Sequence, residues 1–421
     1  MNTWMLEAQK LDEQDELSVF RSRFHIPPSP QGESSVYFCG NSLGLMPKSV
    51  RENVEEVLYD WQNLGVEGHM HAKHPWMPYH EFLTDQMAAV VGALPEEVVV
   101  MNSLTVNIHL MMVSFYRPTA QRYKILMEYS PFPSDRYALE SQVKFHGFDP
   151  KEAIIELMPD PETKTITIEQ IDALLESEGE GIALIMIGGV NYYTGQAYDI
   201  GHITRSGHQY GCIVGFDLAH GAGNLHLQLH DDGPDFAAWC GYKYLNSGPG
   251  ALSGCFVHQR HARNIELPRF AGWWGHDKKT RFLMGNTFMP IPGAEGWQLS
   301  NPPILPMASM RASLQIFQEA GMSALRLKSE KMTHFALQLL DDAGLPGIRC
   351  ITPNDPRLRG CQLSLQMINP DKRVFEMLTA RGVVADWREP DVIRIAPVPL
   401  YNSFSEIATF FTLLKEILHE N

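Results

Sequence analysis

The chain has 421 residues, of which 44% are hydrophobic and 20% charged, an ordinary globular balance. This length exceeds what one small core holds and predicts about two domains. The formal net charge of -15 repels phosphate backbones and argues against nucleic acid as a partner.

The first 305 residues predict an α/β architecture. A helix in residues 1–30 ends at a Pro-rich break, and a second runs from about Pro47 to Leu64, with apolar residues at helical spacing. Short apolar strands then alternate with helical stretches. The predicted strands are EVVVMNS, YKILME, EAIIELM, GIALIMIGGV, GCIVGFD and SGCFVHQ. This alternation predicts a mainly parallel sheet.

The pattern changes after NPPILP. We predict a long helix from about Met307 to Leu345, followed by a smaller α+β domain with the strands QLSLQM and DVIRIAPV. Ser403 and Glu406 have the spacing of a capping box that opens the last helix. The predicted division is an N-terminal segment, 1–60, that packs with the small domain, a large domain, 61–306, and a small C-terminal domain, 307–421.

Targeting and redox features favour a cytoplasmic protein without a membrane partner. The N-terminus has no basic start followed by an apolar stretch, so a secretory signal is not expected. The longest apolar candidate, Gly181 to Val190, has the length of a buried strand and is well short of the ~18 residues that span a bilayer. The six cysteines show no CxxC spacing, and we expect reduced thiols.

Two residues suggest a covalent cofactor. The apolar strand GCIVGFD ends in Asp217, at the position where α/β sheets bind ligands, although a plain turn Asp would look the same. Lys243 follows in WCGYKYLNSGPG, between two tyrosines and ahead of several glycines. Such apolar surroundings favour the neutral amine that attacks a carbonyl. Together the pair predicts a site for pyridoxal phosphate (PLP), in which an Asp holds the ring nitrogen protonated and a Lys carries the cofactor.

Two more segments predict contacts to a phosphate and a ring. In EVVVMNSLTVN a strand runs through Ser103 and Thr105 into a helix, whose N-terminal amides suit an anion. Ordinary N-capping by either residue is the alternative. In the loop PFPSD, Phe132 is placed to stack on an aromatic ring with Asp135 nearby, although a loop Phe often only packs.

Arg394 interrupts the apolar strand VIRIA of the predicted small domain. A buried arginine needs a partner, and its planar fork suits a carboxylate. We therefore predict a substrate clamp; the alternative is a side chain that points to solvent.

Three histidines, His69, His71 and His74, lie within six residues. Zinc usually takes a fourth or an acidic ligand, and no second cluster supports one. We expect no metal, with His71 and His74 on the surface and His69 in a substrate pocket.

The chain resembles the kynureninase family through a series of motifs in the family's order, from about residue 38 to about 405. The motifs are FCGNSLG, MNSLTVN, PFPSD, VNYYTGQ, GFDLAHGAGN, WCGYKYLNSGPG, GWWGH, SNPPI and RIAPVPLYNSF. GFDLAH, WCGYKYLN and RIAPVPLYNSF together separate kynureninases from cysteine desulfurases of the same broad fold. The resemblance implies a PLP fold type I (aspartate-aminotransferase-like) homodimer, with active sites at the dimer interface.

The resemblance also implies roles for single residues. Lys243 would carry the cofactor and move protons, Asp217 would pair with the ring nitrogen, and Phe132 would stack on the ring. Further cofactor contacts would come from Leu104, Thr105, Pro133, Ser134, Asp135, His220, Tyr242, Trp273 and Asn301, with Trp273 reaching across from the neighbouring subunit. Arg394 would clamp the substrate α-carboxylate. One departure is Gly188, where some relatives place a Ser near the phosphate, so that a side-chain contact is missing.

The implied reaction is hydrolysis of L-kynurenine or 3-hydroxy-L-kynurenine to L-alanine and the matching anthranilate, in tryptophan degradation or NAD biosynthesis. A cysteine desulfurase or other lyase of this fold is the alternative enzyme. It would need a reactive Cys, and neither Cys350 nor Cys361 has surroundings that we recognise as activating. A cofactor-free binding protein is the alternative from another class, against which intact Lys243 and Asp217 argue.

Ring specificity is predicted from His69 and Asn301, which match family members that favour the 3-hydroxy substrate. The Asn amide can bond a phenolic hydroxyl, and His69 can stack on the ring or join that network. In the plainer interpretation, Asn301 only caps a turn and His69 is a loop residue.

Overall fold

The computed structural model describes residues 3–345 and 347–420. The α-helices of this part are α1 (Thr3–Glu13), α2 (Ser49–Leu64), α3 (Gly68–His71), α4 (Glu81–Val91), α5 (Leu104–Phe115), α6 (Pro133–Phe145), α7 (Pro150–Ala153), α8 (Ile168–Glu178), α9 (Ile200–Gln209), α10 (Leu229–Asp232), α11 (Ile304–Ala320), α12 (Met322–Ala343), α13 (Lys372–Ala380) and α14 (Phe404–Glu420). The strands are β1 (Phe24–His25), β2 (Val36–Tyr37), β3 (Met46–Pro47), β4 (Val98–Met101), β5 (Lys124–Glu128), β6 (Ile154–Leu157), β7 (Ile182–Gly188), β8 (Ile213–Asp217), β9 (Phe236–Cys240), β10 (Ser253–Val257), β11 (Ile348–Cys350), β12 (Leu363–Met367), β13 (Val383–Val384), β14 (Asp386–Arg388) and β15 (Val392–Ile395).

A seven-stranded sheet in the order β4-β10-β9-β8-β7-β5-β6 forms the centre of the molecule. Only β10 runs antiparallel to its neighbours, so the predicted mainly parallel α/β sheet is confirmed. Strands such as β4 and β9 are buried at every residue, as expected when helices cover both faces of a sheet. Along β4, Val98 and Val100 belong to one apolar core and Val99 and Met101 to another, which places one core on each face.

A second, antiparallel sheet in the order β11-β12-β15-β14 packs with α12, α13 and α14 around its own apolar core. Ala8 of α1 and Phe38 are buried in this core, while Val57 of α2 belongs to the core of the large sheet. Helix α11 spans the predicted boundary at 306, and its buried residues Met307, Leu314 and Phe317, which follow that boundary, also lie in the large core. The domain boundaries themselves remain a prediction.

The structure differs from the predicted elements at one helix and one strand, and agrees with them at one helix cap. The single long helix predicted from Met307 is wrong, because Gly321 has a φ of +74° and separates α11 from α12. The strand FAAWC, which is β9, was not predicted. The capping box is present: the backbone nitrogen of Glu406 donates to the Ser403 hydroxyl at 3.2 Å, and that of Ser403 donates to Glu406 at 3.0 Å.

Candidate active site

One cavity lies at the carboxyl ends of the parallel strands. Because β5, β7 and β8 run in the same direction, their last residues form one edge of the sheet. The cavity is lined there by Ser103, Leu104, Thr105, Glu128, Phe132, Ser134, Asp135, Gly188, Val190, Tyr192, Asp217, Ala219, His220, Tyr242 and Lys243. The structure thus brings most of the predicted cofactor residues to one place; Pro133 begins α6 between two of the lining residues.

Lys243 projects its amine into this cavity from the turn after β9. Its Nζ lies 3.3 Å from Nε2 of His220 and 5.8 Å from the ring centroids of Phe132 and Tyr242. The turn is held against the N-terminal segment, where the backbone nitrogen of Gly44 donates to the Tyr242 carbonyl at 2.8 Å. A Cβ at Gly44 would lie 2.3 Å from the Lys243 carbonyl oxygen, so only glycine allows this approach.

Two helix N-termini also line the cavity. Ser103 is the N-cap of α5 and Phe132 that of α6, and neither side chain makes a capping hydrogen bond. The hydroxyls of Thr105 and Ser134, in the first turns of the two helices, lie 2.9 Å apart. Uncapped N–H groups, two helix dipoles and convergent hydroxyls suit a phosphate group.

The carboxyl groups of the cavity are short of partners. Asp217 accepts a hydrogen bond from the backbone nitrogen of Ala219 at 2.7 Å and shares another with Asp135. Burial raises the pKa of Asp217, and burial together with the Asp217 charge raises that of Asp135 well above its usual range. A hydrogen bond between two carboxyl groups requires a proton, so Asp135 is its natural holder and Asp217 the anion.

His220 is neutral in this environment. Burial, followed by the charge of Lys243, lowers the pKa of His220 well below its usual range. Its Nδ1 is buried and has no hydrogen-bond partner among the described residues. A buried ring nitrogen without a partner is a position that a ligand or water would satisfy.

Besides Pro133, four predicted site residues do not line the cavity. Trp273 is 42% exposed, and its Nε1 donates to the Arg281 carbonyl at 3.2 Å. Asn301 is exposed, while His69 is half-buried and donates from Nδ1 to the Val66 carbonyl at 3.0 Å. The fourth residue, Arg394, lies close behind the cavity wall.

Arg394 is 1% exposed, so the prediction of a buried guanidinium is correct, but its fork is occupied. It pairs with the carboxylate of Asp386 and donates at 2.5 Å to the carbonyl of Tyr192, a cavity residue. Arg388 binds the same Asp386 at 2.9 Å. The Nε atoms of both arginines are buried without a partner among the described residues, which leaves donors for a further anion.

Several cavity residues were missed by the sequence analysis. Glu128 ends β5, and Tyr192, in the loop after β7, packs its ring edge against Phe132 with centroids 5.5 Å apart. Position at the carboxyl end of a strand, the signal used for Asp217, would have found Glu128. Asp386 and Arg388 follow no pattern that reveals their pairing with Arg394, because that pairing depends on the register of β14 with β15.

His69, His71 and His74 do not form a metal cluster in the described part of the chain. Two other groups come within ligand distance of each other, Glu97 with His230 and His258, and His80 with Glu81 and Glu295. Glu97 already accepts from the backbone nitrogen of Gln259 at 2.8 Å. Between Glu81 and Glu295 the Lys278 ammonium lies 2.9 and 2.8 Å from the two carboxylates. The carboxylates of both groups therefore have partners within the protein, while the two ring nitrogens of His80 are buried without a hydrogen-bond partner among the described residues.

The fold defines a class of protein. A cysteine desulfurase from Thermococcus onnurineus NA1 superposes with a TM-score of 0.76 over 94% of this chain and 99% of that one, at 16% identity. A mutant of C-DES with glycine covalently linked to its PLP cofactor gives a TM-score of 0.77 over the same shares, at 17% identity. The chain therefore has the PLP fold type I architecture; this distant likeness shows the fold alone.

The sequence comparisons define the family. Residues 325–414 match the family model described as the kynureninase C-terminal domain. The kynureninase of Myxococcus xanthus is 56% identical over 408 residues, which cover 97% of this chain and 96% of that protein. The kynureninase of Koribacter versatilis is 57% identical over 403 residues, 96% of this chain and 95% of its relative. The chain belongs to the kynureninase family.

Proposed function

We propose that this protein is a PLP-dependent kynureninase, which hydrolyses the Cβ–Cγ bond of L-kynurenine or 3-hydroxy-L-kynurenine to give L-alanine and an anthranilate. The proposal rests on one observation: Asp217, Lys243 and the two uncapped helix N-termini line the same cavity. Membership of the kynureninase family supplies the reaction.

The residues of the cavity fit PLP. Ser103, Thr105 and Ser134 would hold its phosphate, and Phe132, which is 43% exposed, has a free face for its ring. Asp217 would hold the ring nitrogen, because a buried anion favours a protonated partner. The bound cofactor supplies an electron sink for the charge that develops at the substrate carbon.

Each remaining step falls to a named side chain. Lys243, on the turn after β9, would attach the cofactor and move the α-proton of the substrate. Neutral His220, 3.3 Å from its Nζ, offers a ring nitrogen that orients the amine or a water. Arg394 and Arg388 form the cationic end of the site, where a substrate α-carboxylate would compete with Asp386 for their donors.

We infer a homodimer from one surface segment. Residues 265–289 expose an unusual number of large apolar side chains: Ile265, Phe270, Trp273, Phe282, Leu283, Met284 and Met289. Clustered exposed apolar groups mark interaction surfaces. Trp273 lies in this segment and outside the cavity of its own chain, so we propose that it completes the site of a second copy. Asn301 and His69 also lie outside the cavity of their own chain, so we propose that they too complete the site of a second copy.

We infer a reducing compartment, the cytoplasm, from the thiols. All six cysteines are unpaired, as is usual where thiols stay reduced. In the described part of the chain, no helix is long and apolar enough to cross a membrane.

The desulfurase alternative has no support in the small sheet. Burial raises the pKa of Cys361 to about 12, and that of Cys350 is raised by the same cause. Such thiols are poor nucleophiles.

The direct test is to mix the purified protein with PLP and each of the two kynurenines, and to measure alanine together with anthranilate or 3-hydroxyanthranilate. Equal amounts of alanine and the aromatic product are expected. Formation of alanine from cysteine in the presence of a thiol reductant, with the sulfur released as sulfide and no anthranilate formed from either kynurenine, would replace this proposal with the desulfurase.

A further inference from the structure

Glu128 is a cavity carboxyl group to which neither PLP binding nor the reaction assigns a role. Glu128 is the last residue of β5 and is 4% exposed. Both of its carboxylate oxygens lie 3.2 Å from the backbone nitrogen of Gly188, the last residue of β7. It shares the cavity wall with Asp217 and Lys243. A buried acid at this position changes the electrostatic potential at any ligand that the cavity binds.

Gly188 allows the carboxyl group of Glu128 to approach the backbone of β7. β7 lies between β5 and β8, and Gly188 is paired in register with Asp217. A Cβ at residue 188 would lie 2.9 Å from Oε1 of Glu128, so any side chain there would displace the carboxyl group. Glycine at this position therefore lets Glu128 approach Asp217 across the middle strand.

Resting on the proposed function, we propose that Glu128 is a positioning residue of the cofactor site: its carboxyl group, reaching across Gly188, sets the charge of the Asp135–Asp217 pair that holds the cofactor nitrogen. Glu128 acts on the pair through its charge and does not contact the reacting atoms.

The groups that face Glu128 come from four elements. They are the backbone N–H of Gly188 on β7, Asp217 on β8, Asp135 on α6 and the hydroxyl of Tyr198 in the loop after β7. None of these is a cation, and among the described residues it is backbone N–H groups that stabilise the ionised form of Glu128. The cation of the cavity, Lys243, acts on the two aspartates instead.

This environment makes Glu128 a group that titrates near neutral pH. Burial, with the Asp217 charge adding to it, raises its pKa to about 7, although backbone N–H groups partly offset both effects. Glu128 therefore holds its proton below this pH and releases it above. Release adds a negative charge beside the aspartate pair, which favours a proton on the cofactor nitrogen. The ionised Glu128 should thus strengthen PLP binding.

The test is the PLP dissociation constant of the purified protein between pH 6 and 8.5, compared with that of Glu128→Gln. The amide resembles the protonated acid, so the two proteins should agree within about twofold at pH 6. At pH 8.5 the unmutated protein should bind about tenfold more tightly, since a neighbouring charge shifts a pKa by about one unit, or a factor of ten. A ratio of the two constants that does not change with pH would overturn the proposal.

Two variants and one spectrum complete the test. Glu97→Gln removes a buried carboxylate at the other end of the sheet and should leave the ratio independent of pH. Gly188→Ala displaces the Glu128 carboxyl and should reduce the pH dependence of PLP binding. Infrared titration of the unmutated protein without PLP should show a protonated carboxyl band lost near pH 7, and no such band would refute the proposal even where Glu128→Gln fails to fold. Absence of PLP binding by the unmutated protein would instead contradict the proposed function.

Discussion

The two edges of the central sheet carry buried aspartates whose pKa values are shifted in opposite directions. At the carboxyl edge, Asp217 has one backbone donor and a second acid beside it, and burial raises its pKa. At the amino edge, Asp235 precedes β9 and accepts from His208 at 2.9 Å, His261 at 2.8 Å and the backbone nitrogen of Val214 at 2.8 Å. Burial alone would raise its pKa, but these hydrogen bonds outweigh it and hold the pKa below its usual range.

The two aspartates differ in how completely the protein satisfies their hydrogen-bonding capacity. Asp235 is satisfied by the protein and contributes stability. Asp217 is left with capacity for a partner that the protein does not supply, which is what a cofactor site requires. The same strand order therefore produces a stabilising edge and a reactive edge, and the two are distinguished by their hydrogen-bond partners.

The largest expected effect is that of Asp217→Asn on turnover. Loss of the anion that would hold the cofactor nitrogen should lower kcat by about 100- to 1000-fold, the cost of removing one preorganised electrostatic partner. Because a raised pKa means that the ionised acid opposes folding as the pH rises above its usual value, the variant should be no less stable than the unmutated protein at pH 8. Steady-state kinetics and thermal unfolding measure both. Retained kcat would show that Asp217 is only a turn residue.

Arg394→Leu tests the cationic end of the reactive edge. Loss of one charge-assisted clamp should raise KM for kynurenine by about 10- to 150-fold, equivalent to roughly 1.5–3 kcal/mol, while PLP stays bound. Arg357→Leu, which removes an exposed arginine paired with Asp355, is the matched control. If KM does not change, the substrate carboxylate binds elsewhere, and Arg388 becomes the first candidate.

Asp235→Asn tests the structural edge. A depressed pKa contributes stability above the usual value of 3.8 that is lost as the pH falls through the folded-state pKa. The variant should therefore be less stable by about 2 kcal/mol at pH 7, with the difference shrinking below pH 4. Urea unfolding at both pH values gives the numbers. PLP affinity should stay within about twofold; a large loss would remove the distinction between the two edges.

The smallest expected effect concerns ring specificity. We expect a higher kcat/KM for 3-hydroxykynurenine than for kynurenine, because polar groups built to bond a hydroxyl are left unpaired without it. The double change His69→Leu and Asn301→Ala should narrow the preference by about tenfold, and His71→Leu should leave it unchanged. Equal kcat/KM values in the unmutated enzyme would favour the plainer interpretation of both residues.

The sequence predicted the sheet and most of the cavity because both depend on local order. Asp217 ends an apolar strand, and Lys243 follows it in a Gly-rich turn, so their meeting at one edge follows from parallel strands. The charge environment depends on contacts between distant segments. The pairing of Arg394 with Asp386 requires the register of β14 and β15, and the reach of Glu128 requires the strand order β5-β7-β8.

The residues that lie outside the cavity could not be placed from the sequence for a different reason. Trp273, Asn301 and His69 were predicted from family resemblance, which describes an assembled site. A single chain does not bring them to its own cavity. Their proposed role therefore depends on the dimer, and sedimentation of a fully active monomer would contradict it.

The most direct test of the reactive edge is borohydride reduction of the protein loaded with PLP, followed by peptide mapping. We expect a yellow protein whose colour is lost on reduction, with a single stable label on Lys243, in the peptide that contains WCGYKYLN. Lys243→Ala, which should still fold, is expected to carry no label and to show no turnover. A label on any other lysine would contradict the role proposed for Lys243, and a colourless protein would contradict PLP binding.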